Sequence, residues 1–193
     1  MHRNTVTMPR QVGALAIPQA VHKFFSVMHT KTAAMHFLIV PLVIIAQSFF
    51  GGLPIDGIHC DREEGAAEHI HAFLALFDRG RRVTVPAGIG IPQGAGCLYW
   101  LHTHNTDGFI HIESPVRRSF TLGQFFDIWG PDLSWTQAGP LTAAHGDRLT
   151  IWVDGARWRG HDPRDIRLHD HQAIVIQNGP PFAPQPRPNW SSL

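Results

Sequence analysis

A chain of 193 residues can bury one sizeable core, and its 44% hydrophobic content is that of an ordinary globular protein. A formal net charge of +1, with scattered arginines and no basic stripe, argues against nucleic-acid binding and against electrostatic recruitment to anionic membranes. Histidine is the outlier: 14 residues nearly match the 16 lysines and arginines, so acidification changes the charge greatly and displaces any metal held by neutral imidazole.

Residues 36–50 are a strongly apolar run with Lys31 ahead of it and Pro41 inside it. The run has the length of a signal-peptide core and is short for a membrane-spanning helix. Ala46 and Ser48 supply the small residues that a cleavage site after Ser48 requires, and Met28 offers an alternative start with a basic flank. A buried core helix is the competing reading. The chain therefore divides into an N-terminal extension with signal peptide or anchor (1–50), a β-domain (53–179) and a Pro-rich tail (180–193). The expected location is secreted or periplasmic, with membrane contact only through an uncleaved N-terminal segment.

In an oxidising compartment the two cysteines, Cys60 and Cys97, are expected to pair. Such a bridge clips the start of the domain to a later strand and contributes ~3–4 kcal/mol by restricting the unfolded chain. Cys97 as a soft metal ligand is the alternative. Strand parity opposes it, because Cys97 projects with Tyr99, Leu101 and Thr103. A lipoprotein anchor at Cys60 would need a small residue immediately before it, where His59 stands.

Residues 69–77 read as a strand ending at Asp78-Arg79-Gly80, and residues 82–86 as the next. A Gly/Pro-rich loop covers 88–96. Residues 97–104 and 109–113 then read as a hairpin about Asp107-Gly108, a dipeptide favoured where a tight turn needs positive φ. Counting outward from a two-residue turn, His104 stands opposite His111 and His102 opposite Glu113. His102, His104, His111 and Glu113 then share one face, with cross-strand Cβ atoms roughly 4.5–5.5 Å apart. Three imidazoles and a carboxylate in that space suit a divalent first-row metal. A one-residue slip would send one pair to the opposite face.

His69 and His71 repeat the same spacing. They can complete the first site, hold a second metal nearby, or serve the structure, since His71 is in line with Phe73, Ala75 and Phe77. His145, His161, His169 and His171 read as solvated loop residues.

Thr121 and Gln124 form a capping box before Phe125, Ile128 and Trp129, predicting a short core-packing helix stopped by Gly130-Pro131. Strands follow at 149–153 and 156–159 around Asp154-Gly155, then at 166–168 and 171–177. Residues 72–91 and 149–168 echo each other faintly. The tail from Pro180 is expected to be extended. Short strands with Gly-bearing turns make the fold class all-β, an antiparallel sandwich or partly open barrel with one short helix. No GxSxG elbow, phosphate-cradling loop or dinucleotide fingerprint is present.

The segment CLYWLHTHNTDGFIHIESP (97–115) followed by FTLGQFFDIWG (120–130) resembles a group of small, secreted bacterial proteins without assigned chemistry. The likeness extends through IDGIHC (55–60) and HIHAFL (69–74). It implies a coherent exported domain and no particular reaction. The three-His, one-Glu set also resembles that of cupins. A cupin, however, places its carboxylate a few residues after HxH and its last histidine much later, whereas Glu113 here closes a second HxE pair.

The expected function is an exported metal-binding protein for zinc or copper, ahead of iron or manganese, in metal handling or structural support. A metal-dependent enzyme with an open coordination position is the alternative. A structural or interaction domain without metal is the third reading.

Overall fold

The structure, a computed structural model, describes residues 52–193; the 1–50 extension and the cleavage site expected after Ser48 lie outside the described residues. Strands β1 (Cys60–Asp61), β2 (Glu68–Asp78), β3 (Arg81–Val83), β4 (Leu98–Tyr99), β5 (Leu101–His102) and β6 (Phe109–Ser114) come first. Helix α1 (Leu122–Trp129) separates them from β7 (Gln137–Ala138), β8 (Leu141–Thr142), β9 (Thr150–Val153), β10 (Ala156–Arg157) and β11 (Gln172–Asn178). The main sheet runs β10-β9-β11-β2-β6-β5, with β3 also on β2. The described residues are all-β with one short α-helix, as expected, and do not close into a barrel.

At eleven residues, β2 is long enough to share one edge between two partners: β6 pairs with Glu68 to Phe73, and β3 with Leu76 to Asp78. Its other edge carries β11 in parallel, from Gln172 opposite Ala72 to Asn178 opposite Asp78. The other strand pairs are antiparallel. A parallel partner requires a long crossover rather than a tight turn, and the segment between β3 and β11, including α1, provides it.

The run Ala72 to Phe77 is buried throughout because both faces of β2 are covered. One face (Ala72, Leu74, Leu76, with Ile110, Ile112, Ile174 and Ile176) belongs to the main core. The other (Phe73, Ala75, Phe77, with Phe109 and Val175) forms a second cluster, against which Ala183 and Trp190 of the tail pack. The tail lies across this face and ends in a 3-10 turn at Trp190–Ser192. Gln177 fastens it, donating through Nε2 to the Ala183 carbonyl at 3.0 Å and accepting from the Ala183 amide at 2.7 Å.

The capping box forms as predicted: Thr121 is the N-cap, Gln124 bonds back to it, and Gly130 ends the helix at φ 105°. The buried stripe starts one turn earlier than expected. Leu122, Phe125 and Phe126 are buried, whereas Ile128 and Trp129 are only half-buried. Hairpins β2–β3 and β9–β10 turn on Arg79-Gly80 (φ 46° and 78°) and Asp154-Gly155 (φ 50° and 81°). The echo between 72–91 and 149–168 thus corresponds to two hairpins of like turn chemistry flanking β11, one parallel to it and one antiparallel. The strand expected at 166–168 is not formed. Its place is taken by a bridge between Arg167 and Thr121 that ties the segment to the entrance of α1.

The cysteines pair as expected, with an S–S distance of 2.08 Å, beside the β1–β4 ladder. Disulfides form and persist in oxidising compartments. No helix of the described residues is long and apolar enough to cross a membrane.

Candidate metal centre

The site lies where β5, β6 and β2 run side by side. On β6, His111 and Glu113 project from the face that carries Phe109, because side chains alternate. On β2, His71 stands opposite His111 and His69 opposite Glu113. On β5, His102 stands opposite His111. Three imidazoles, from His71, His111 and His102, therefore form a row across three strands, and His69 and Glu113 form the next.

This register corrects the sequence expectation, which paired His104 with His111 and His102 with Glu113. The shift is two residues, so the faces are preserved and the four expected residues still converge. The turn is not a two-residue one: residues 103–108 form a loop. Thr103 causes it. Its amide donates to the Ile89 carbonyl (3.0 Å), its carbonyl accepts from the Gly88 amide (2.8 Å), and its hydroxyl donates to the Pro86 carbonyl (2.8 Å) while accepting from the Ile89 amide (3.1 Å). These bonds pull the chain off β6 immediately after His102. At the other end of the loop, the Gly108 carbonyl accepts from the Leu74 amide at 2.8 Å, which continues the β6–β2 pairing in place of a turn.

The donor atoms are close. His102 Nε2 lies 3.2 Å from His104 Nε2 and 3.7 Å from Glu113 Oε2. Glu113 Oε1 lies 3.3 Å from both His111 Nδ1 and His69 Nε2. Two donors bound at ~2.0–2.1 Å to one tetrahedral ion stand about 3.3 Å apart. The spacing is compatible with the ligands of a shared ion. Among the described residues, two groups have one donor atom per residue within 4.8 Å of each other: His102, His104, His111 and Glu113, and His69, His71 and Glu113.

Two features prepare the site for a cation. His102 is fully buried, and its Nδ1–H donates to the Tyr99 carbonyl at 2.9 Å. That bond fixes the tautomer and leaves the Nε2 lone pair facing the other donors, the usual way a ligating imidazole is oriented. Glu113 is 4% exposed, and its Oε2 is buried without a hydrogen-bond partner. An orphaned buried carboxylate oxygen is costly unless a cation satisfies it.

Burial pushes the His102 imidazole down to about 4, with the neighbouring His104 and His111 adding to the effect, so His102 is neutral and able to ligate at neutral pH. Burial, then His111 and His69, also lowers His71. For Glu113, burial favours the neutral acid, but the His111 hydrogen bond, with electrostatic attraction toward the surrounding imidazoles of His102, His111 and His69, outweighs it and holds the carboxyl below its ordinary range.

The site grades from buried to exposed. His102 and Glu113 form its floor, His111 is half-buried, and His104 and His69 stand at the rim with side chains 40% and 56% exposed. Several contributors carry no sequence signal: the Tyr99 carbonyl, Thr103, and Glu64, whose Oε1 is 3.6 Å from His104 Nε2. Gly90 is another. At φ 75°, a Cβ added there would fall 2.5 Å from the Leu101 carbonyl oxygen and 3.0 Å from His102 Cβ. His145, His161 and His169 are exposed and outside both donor groups, as expected. His171 aligns with His71 through its amide, which donates to the His71 carbonyl at 2.8 Å, but its ring packs 4.8 Å from that of Trp190.

No family model matches the chain, and no curated protein or solved structure matches it either. The functional reading therefore rests on the site itself.

Proposed function

We propose that this protein is an exported metal-binding protein that holds zinc or copper through His102, His104, His111 and Glu113, in metal handling or structural support outside the cytoplasm. The unpartnered, buried Oε2 of Glu113 beside the oriented Nε2 of His102 carries this reading. Neutral imidazole and carboxylate suit zinc and copper(II), and no thiolate is available because both cysteines are in the disulfide. Export agrees with the disulfide and with the apolar run at 36–50. The likeness of residues 97–130 to small secreted bacterial proteins belongs to the same reading. His102, His104, His111 and Glu113 would hold the ion, whose charge would offset that of the buried carboxylate.

The alternative, a metal-dependent enzyme, draws on the exposed rim at His104 and Glu64. A site closed by four protein ligands is structural, whereas one that keeps a position for water is catalytic. Elemental analysis of protein purified without a His tag should give near-stoichiometric zinc or copper, and a His102→Ala/His104→Ala variant should lose it. By linkage, excess metal should raise the Tm of the parent protein and leave that of the variant unchanged. Absence of stoichiometric metal from both proteins would leave the reading as a structural domain.

A further inference from the structure

Glu113 belongs to both donor groups, and its two oxygens face different imidazoles. Oε2 faces His102, which adjoins His104. Oε1 faces His69 and His111, each at 3.3 Å. The first group accounts for the orphaned Oε2 without His69 and His71, yet the pairing of β2 with β6 sets these two histidines directly opposite Glu113 and His111. His71 and His111 have ring centroids 4.6 Å apart, and His69 and His71 5.1 Å apart. Side chains further along the same face of β2 are Phe73, Ala75 and Phe77, so the strand changes from apolar to imidazole only where it passes the carboxylate.

We infer that His69, His71 and Glu113 form a second site for a divalent first-row metal ion, with the Glu113 carboxylate bridging two ions. This rests on the first group being a metal centre. Two-metal centres hold their ions ~3.5–4 Å apart, a separation one carboxylate spans with its two oxygens. The two sites differ in kind. The first has four protein donors, of which His102 and Glu113 are buried. The second has three, with His69 largely in solvent, which is the composition of sites that keep a position for water or an exchangeable ligand. The second site is therefore the exchanging one.

The test is titration of the chelator-treated, disulfide-intact full chain with cobalt(II), followed by visible absorption and calorimetry, and a parallel copper(II) titration followed by electron paramagnetic resonance. The parent protein should take two equivalents, with a spin integral below two for copper because bridged ions couple. His69→Ala/His71→Ala should take one equivalent with the first site's absorption retained. Since His69 is exposed, His69→Gln alone provides a variant with little risk to folding, and it should weaken only the second equivalent. One equivalent in both the parent and the His69/His71 variant overturns the second site and leaves the first. One equivalent lost in that variant as well as in His102→Ala/His104→Ala means a single shared site and also overturns the inference. Two equivalents persisting in the His69/His71 variant overturn the ligand assignment, and no stoichiometric binding in the parent removes both sites.

Discussion

His102 shows how one side chain links the site to the stability of its surroundings. In the unfolded chain its imidazole titrates near 6.5; in the fold, burial lowers it to about 4. Between those values the unfolded state takes up a proton that the native state refuses, so this part of the stability is complete above about pH 6.5 and is lost as the pH falls toward 4. His71 shifts in the same direction. Glu113, with its carboxyl depressed, contributes stability that is present above its unfolded value and lost as the pH falls through its folded value. All three act together. The Tm of the chelator-treated protein should fall steadily from pH 7 to pH 4, and His102→Gln should flatten the part of that profile between pH 6.5 and 4. An unchanged slope in the variant would show that His102 is not held neutral by the fold. The histidines and Glu113 were legible in the sequence as donors. The Tyr99 carbonyl, which selects the tautomer, was not, because every residue offers a carbonyl and only the fold aims one.

The elements that hold these side chains obey simple local rules, and the departures are instructive. The Thr121 capping box and the two-residue turns at Arg79-Gly80 and Asp154-Gly155 act within a few residues, so the sequence predicts them directly. Asp107-Gly108 looks equally like a turn, but Gly108 extends the β6 pairing with β2 and Thr103 has diverted β5 toward residues 86–89. The competing bonds are long-range, and local turn preference yields to them. Because the resulting register differs by two residues, parity survives and the four candidate residues still converge in spite of the wrong pairing. Thr103→Val should remove both hydroxyl bonds from a buried position at a cost of about 1–3 kcal/mol. It should also weaken metal binding, since His102 and His104 flank it. Thermal denaturation and metal titration would check the two effects, and full affinity in the variant would show that the loop does not set the site.

Over the whole molecule, the second face of the main sheet is finished by the tail. Trp190 packs against Phe109 with ring centroids 5.4 Å apart, and Ala183 is latched by Gln177. Removing residues 181–193 should expose part of the Phe73, Phe109 and Val175 cluster and destabilise the domain by about 2–4 kcal/mol. The loss should be readable as a lower Tm and increased binding of a hydrophobic dye. Metal stoichiometry should remain, because no donor lies in the tail. Unchanged dye binding would mean that the tail contributes no cover.

From its own residues the chain determined the all-β class, the pairing of Cys60 with Cys97, the short capped helix and the set of candidate ligands. These follow from alternation, capping, turn chemistry and composition, which act over short distances or need only a count. Tertiary structure decided the parallel return of β11, the register of β5 on β6, the docking of the tail, and above all the placement of His69 and His71 opposite Glu113 and His111. That placement joins residues some forty positions apart through a ladder of backbone hydrogen bonds. A sequence can show that such histidines alternate; only the paired strands can set them beside one carboxylate.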